Sequence, residues 1–145
     1  MAEPVLEVNN LQISFFSDKG GIPVVNGVNF LINEGEILGV VGESGCGKSM
    51  TALSIMGLIQ SPGKIVEGEI RFNGNDLTKF TEKELRQIRG NEIGMIFQEP
   101  MTSLNPLFTI GDQIMEAIRI HYKWNKSQIR TRAIEILDSV GLARP

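Results

Sequence analysis

Residues 42–50 read Gly42-Glu43-Ser44-Gly45-Cys46-Gly47-Lys48-Ser49-Met50, set between the apolar run Ile37–Val41 and the stretch Ala52–Met56. The first eight satisfy the pattern G-x-x-x-x-G-K-[ST] in full. Glycines at these places let the backbone wrap so that successive N–H groups point inward at phosphate oxygens. A helix beginning at the lysine would turn its positive end to the same anion. Lys48 is then expected to reach the β- and γ-phosphates of a nucleotide, and the Ser49 hydroxyl to coordinate magnesium. A chance match in a flexible glycine turn is the competing reading. Against it, the pattern follows a buried-strand signal and precedes a helical one, which is the context it requires. Cys46 occupies a variable position of the pattern, has no histidine near it in sequence to activate a thiol, and reads as a small filler.

Outward from the loop, hydrophobic periodicity divides the chain. Val5 to Phe16 alternates as a strand, with Leu11, Ile13 and Phe15 on one face. Ser17–Gly21 reads as a loop, and Val28, Phe30 and Ile32 mark a second half-buried strand. After a turn at Asn33-Glu34-Gly35, Ile37–Val41 is apolar throughout, which predicts a strand covered on both faces. Beyond the loop, a helix is expected from about Lys48 to Ile59, ending before Ser61-Pro62-Gly63. Glu69–Phe72 reads as a strand entering a tight turn at Asn73-Gly74. Thr81 to Glu84 has capping-box spacing and should open a short helix ending near Gly90. Ile93–Phe97 predicts another buried strand. Past Pro106 two helices are expected, one over 110–122 and one from near Ser127, with Ile129, Ala133, Leu137 and Val140 on one face and a stop at Gly141. The order predicts an α/β core followed by a helical appendage.

Composition narrows the function classes. A chain of 145 residues suits one domain, and its 41% hydrophobic and 21% charged content is that of a soluble globular protein. A net charge of −3 argues against nucleic-acid binding, which needs a basic face to displace phosphate counterions. A single cysteine excludes a disulfide within the chain and a cysteine-based zinc cluster. No apolar run approaches the roughly 18–20 residues that span a bilayer, and Met1-Ala2-Glu3-Pro4 begins no signal-peptide pattern.

Phosphate loops serve ATPases, GTPases and small kinases alike. Asn125-Lys126-Ser127-Gln128 begins like a guanine-reading motif but lacks its aspartate and precedes a helix. The discriminating stretch is Ile96-Phe97-Gln98-Glu99-Pro100-Met101-Thr102-Ser103-Leu104-Asn105-Pro106. Its glutamine, at the end of an apolar run fifty residues after Lys48, resembles the Q-loop of ABC-transporter ATPases. The longer string, with Thr109–Ile114 and the loop followed by Ala52–Leu58, is similar to the dipeptide, oligopeptide and nickel importer ATPases in particular. The resemblance covers essentially the whole chain.

That resemblance implies an α/β fold: a P-loop NTPase (RecA-like) core with an antiparallel β subdomain over residues 1–98, incomplete, and the start of a helical subdomain over 99–145. It implies ATP and Mg2+ as cofactors, held by Gly42, Glu43, Ser44, Gly45, Cys46, Gly47, Lys48, Ser49 and Met50, with Phe15 stacked on the adenine ring. Phe15 also reads as a core residue beside Leu11 and Ile13. Met50 departs from the family, where a second hydroxyl residue often follows the serine. Gln98 would join Ser49 near the metal and approach the attacking water; its other reading is a solvated loop residue. The segment Glu99–Pro106 and the helices after it would face transmembrane permease subunits, or else pack only on their own core. A second ATPase subunit would close the site, on the inner face of a prokaryotic cell membrane.

The family's Leu-Ser-Gly-Gly-Gln-like signature, its apolar strand ending in Asp-Glu and its switch histidine have no counterpart in these 145 residues, and His121 falls in a predicted helix. Phosphoryl transfer needs a residue that polarises the attacking water. The expectation is therefore a truncated cassette that binds Mg·ATP at best without turning it over, and whose Ile37–Val41 strand, with an unpaired edge or an uncovered apolar face, leads to self-association by strand exchange or to partial disorder. The alternatives are a non-catalytic nucleotide- or permease-binding module and, against the acidic charge and the importer-like string after Gln98, a DNA-repair or structural-maintenance ABC ATPase.

Overall fold

The computed structural model describes residues 4–99 and 103–142, so Pro100–Thr102 of the expected permease-facing segment lie outside the described residues. Two compact units are formed, Met1–Arg86 and Gln87–Pro145.

The first unit is built on an antiparallel sheet of β1 (Leu6–Ser17), β2 (Gly20–Ile32), β3 (Gly63–Phe72) and the short β4 (Asn75–Asp76), in the order β2-β1-β3-β4. β1 and β2 meet in a hairpin whose turn is only Asp18-Lys19, because Ser17 already pairs with Gly20 and Phe15 with Ile22. β3 starts at Gly63, earlier than the sequence suggests, and pairs with Phe15. The buried face of β1 is Leu6, Val8, Leu11 and Ile13, so the alternation changes phase in the middle of the strand. The change falls at Asn10, which has φ 46°, where both ladders show register shifts. Such a bulge places an extra residue in one strand and keeps both halves of its apolar set on the core face.

Helix α1 (Lys48–Ile55) contacts β2. It ends before the expected Ile59 because Gly57 adopts φ 62°. The Gly57 N–H then donates to Ser54 O at 3.0 Å and the Leu58 N–H to Leu53 O at 2.8 Å. These two bonds satisfy carbonyls that a continuing helix would have used, the usual glycine stop.

Two expectations fail locally. Ile37–Val41 is not a strand: it joins no ladder, and Ile37 and Val41 are 96% and 93% exposed. Ile93–Phe97 is likewise no strand, since Ile93 makes one isolated bridge to Arg89 and Ile96 is 92% exposed. Strand form needs backbone partners, and among the described residues neither run has a neighbouring strand.

The units divide within α2 (Glu82–Ile88). In the second unit, α3 (Ile110–His121) and α4 (Lys126–Ser139) pack through Ile118, Ile129 and Ala133, flanked by Ile114, Met115 and Ile136. Thr109 caps α3 by accepting from the Asp112 N–H, and Asn125 with Gln128 forms a capping box on α4. Gly141, at φ 79°, stops α4 as expected, but Val140 is 69% exposed and takes no part in the buried face.

Candidate functional site

The loop that decided the sequence reading is built as its residue types require. Gly45 and Gly47 sit at φ 84° and 94°, where side chains are rarely tolerated and the chain can curl tightly. Gly47 is also the N-cap of α1 and supplies no side-chain cap. The N–H groups of Lys48, Ser49 and Met50 in the first turn therefore have no intrahelical acceptor, and an anion placed there would satisfy them in the field of the helix. The Thr51 N–H closes the first helical bond on Gly47 O at 2.9 Å, and its hydroxyl reaches the same carbonyl at 3.1 Å. The Ser54 hydroxyl donates to Thr51 O at 2.6 Å.

Lys48 folds back across the loop. Its ammonium donates to Gly42 O and to Glu43 O, both at 2.7 Å, and stands 3.4 Å from Cys46 Sγ. Two charge-assisted bonds hold the positive charge over the curl of the backbone. Cys46 is exposed. A Cβ on Gly42 would stand 2.6 Å from Cys46 Sγ, so the sulfur occupies the space that glycine leaves. Gly47 is tied more firmly, because a Cβ there would lie 2.9 Å from Val24 O and 3.0 Å from Val25 Cγ2. This close approach of the loop to β2 depends on distant backbone and carries no local sequence signal.

Ser49 is exposed and Met50 half-buried, both in the first turn of α1. Phe15 is half-buried near the end of β1, on the strand that carries Leu11 and Ile13 but outside their fully buried set. Gln98 lies in the second unit, exposed, at a bend. Among the described residues no group of three or more His, Cys, Asp or Glu side chains could hold a metal ion.

The ABC transporter family model matches residues 25–144. The chain belongs to that family. The oligopeptide transport ATP-binding protein AppD of Bacillus subtilis is 56% identical over 141 residues, 97% of this chain and 43% of AppD. The dipeptide transport ATP-binding protein DppD of Escherichia coli is 47% identical over the same share of each chain. The chain therefore spans less than half the length of these relatives. Among solved structures, the dimeric ATP-binding cassette MJ0796, in a post-hydrolysis state bound to ADP and Pi, matches with a TM-score of 0.80 at 28% identity, over 96% of this chain and 58% of that one. The fold matches part of an ABC ATPase cassette, as the loop and the Gln98 string implied.

Proposed function

We propose that this chain is the phosphate-loop half of the ATP-binding subunit of a peptide importer, and that it binds Mg·ATP at residues 42–50. The reading is carried by one observation: a lysine ammonium bonded to the Gly42 and Glu43 carbonyls, in a loop whose Gly45 and Gly47 hold positive φ and which leads into the uncapped start of a helix. Phosphate oxygens would take the first-turn N–H groups, and Lys48 would exchange its loop carbonyls for the β- and γ-phosphates. Each charge-assisted bond contributes about 1.5–3 kcal/mol, so the loop supplies a large part of the affinity. Phe15 would stack on adenine.

The residues present fit a magnesium ion. Mg2+ keeps several waters and takes its other oxygens mainly from phosphates, so it needs few protein ligands, and the exposed Ser49 hydroxyl offers one. On the resemblance alone, Gln98 would be a second contributor, and the ion would neutralise phosphate charge. Hydrolysis further requires a group to orient water, and residues 1–145 contain neither a Leu-Ser-Gly-Gly segment nor, after residue 106, an apolar run ending in Asp-Glu. By itself the chain binds without turnover. Identity to oligopeptide and dipeptide transport proteins supports a peptide as the solute and permease subunits as partners. The dimeric cassette supports a second ATPase subunit. No helix among the described residues is long and apolar enough to cross a membrane, so the proposed place is peripheral, against the permease on the inner face.

Calorimetry with Mg·ATP tests this reading, with Lys48→Ala as control. Micromolar binding lost in the variant is expected; no binding by the unaltered chain refutes it. A phosphate-release assay should show no turnover. A rate of about 1 per second that Lys48→Ala abolishes would overturn the non-catalytic reading.

A further inference from the structure

We propose that Gly63 is a positioning residue for the nucleotide base: it leaves the space into which the tip of the Phe15 ring settles, and so sets the surface on which adenine stacks. This rests on the reading of Phe15 given above. Phe15 and Gly63 are direct partners across β1 and β3, and Gly63 is buried. A Cβ at Gly63 would stand 2.9 Å from Phe15 Cζ, 2.8 Å from Ile59 Cγ2 and 3.0 Å from Gln60 O. The φ of Gly63 lies outside the left-handed region, so what the position requires is space, not glycine's freedom.

The backbone around Gly63 is pinned on both sides. Its N–H donates to Gln60 O at 2.8 Å, and the Phe16 N–H donates to Pro62 O at 3.1 Å. With the turn tied to β1, a new methyl group presses on the Gln60 carbonyl and on the two side chains it meets, Phe15 and Ile59, and the side chains are what can move. The competing reading is that the ring only covers bare glycine backbone, a common cross-strand pairing that stabilises a sheet. The next residue provides the contrast. A Cβ at Gly21 would lie 3.0 Å from Phe16 Cε1, but Phe16 is 44% exposed and has Lys64 Nζ 5.8 Å from its ring centroid. Gly21→Ala therefore disturbs an aromatic–glycine pair of the same sheet, across β1 and β2, without touching Phe15.

Titration calorimetry of this chain with Mg·ATP and with Mg·tripolyphosphate, which lacks the base, separates the two readings. Phe15→Ala and Gly63→Ala are each expected to weaken ATP about tenfold, the scale of one base–aromatic stack, and to leave tripolyphosphate within about twofold. Gly63→Ala added to Phe15→Ala should cost nothing more, and Gly21→Ala should leave both ligands unchanged. If Phe15→Ala weakens ATP while Gly63→Ala does not, the positioning role is refuted and stacking stands. If Phe15→Ala leaves ATP unchanged, stacking fails and the positioning role with it. Loss of ATP and tripolyphosphate in equal proportion by Gly63→Ala shows a structural glycine and also overturns the proposal. Should Gly63→Ala not fold, the pair Ile59→Ala and Gly63→Ala, which removes the methyl's other side-chain contact, carries the same comparison against Ile59→Ala.

Discussion

Replacing Gly47 by alanine should cost this chain far more than replacing Gly45, although the two glycines hold nearly the same backbone conformation. Both have φ between 84° and 94°, and an L side chain in left-handed backbone costs about 1–2 kcal/mol. At Gly45 that is the whole cost, since an added Cβ would meet nothing within 4 Å. The folded-to-unfolded ratio would fall by a factor of about 5–30. At Gly47 the same methyl would lie 2.9 Å from the backbone oxygen of Val24 and 3.0 Å from Val25 Cγ2. Val24 cannot give way easily, because its neighbours Pro23 and Val25 are both paired with β1, to Ser14 and Ile13. The start of α1 must then move off β2, at an overpacking cost of about 1–3 kcal/mol. The sum, about 2–5 kcal/mol, is a large share of the roughly 5–15 kcal/mol available to a typical domain. Urea unfolding of both variants, followed by Mg·ATP titration, measures the difference. Gly45→Ala should remain cooperative and bind more weakly; Gly47→Ala should lose most of its stability and its binding together. Unfolding free energies within about 0.5 kcal/mol of each other would refute the close-approach argument.

Other parts of the structure give independent tests. Gly42→Ala should weaken Mg·ATP by pushing Cys46 Sγ, which lies 2.6 Å from the new Cβ and 3.4 Å from Lys48 Nζ; adding Cys46→Ala should restore affinity, and failure to restore it refutes the steric account. The Glu84 carboxyl is held below its ordinary value by the Thr81 hydroxyl first and the Thr81 N–H second. Its folded value being depressed, its stabilisation is present above the ordinary carboxylate value and is lost as pH falls through the depressed one. Acid should therefore lower the urea midpoint of the unaltered chain more steeply than that of Thr81→Ala, and equal slopes would exclude the link. The exposed Ile37 and Val41 should make the chain associate at micromolar concentration, as uncovered apolar surface does. Light scattering should show smaller particles for Ile37→Asp with Val41→Asp, and a monomer before substitution would refute this.

What was legible in the sequence is what one stretch of chain settles by itself. The phosphate loop could be read because its chemistry requires those residue types at that spacing, and the Thr81 and Gly141 signals because a cap and a glycine stop are local events. Gly57, at φ 62°, is an equally local stop, and it ends α1 at Ile55. The rest depends on distant backbone. Ile37–Val41 and Ile93–Phe97 are apolar enough to be covered on both faces, but an apolar run specifies burial and not a ladder; the ladder needs neighbours that the described residues do not supply. The phase change in β1 is subtler still. Asn10 can hold φ 46° because β2 and β3 bring glycines to meet it: Gly27 at φ 69°, where a Cβ would stand 3.4 Å from Asn10 Oδ1, and Gly68 at φ 94°, against the Asn9 and Asn10 carbonyls. The Asn10 and Gln12 amides then both donate to the Glu67 carboxylate, at 2.7 Å and 2.9 Å. Period-two reading along β1 alone puts Leu6 and Val8 on the face opposite Leu11 and Ile13, because the residue that reverses the phase is specified by two other strands. Gly63 follows the same logic, since its requirement for space becomes visible only when Phe15 lies across from it.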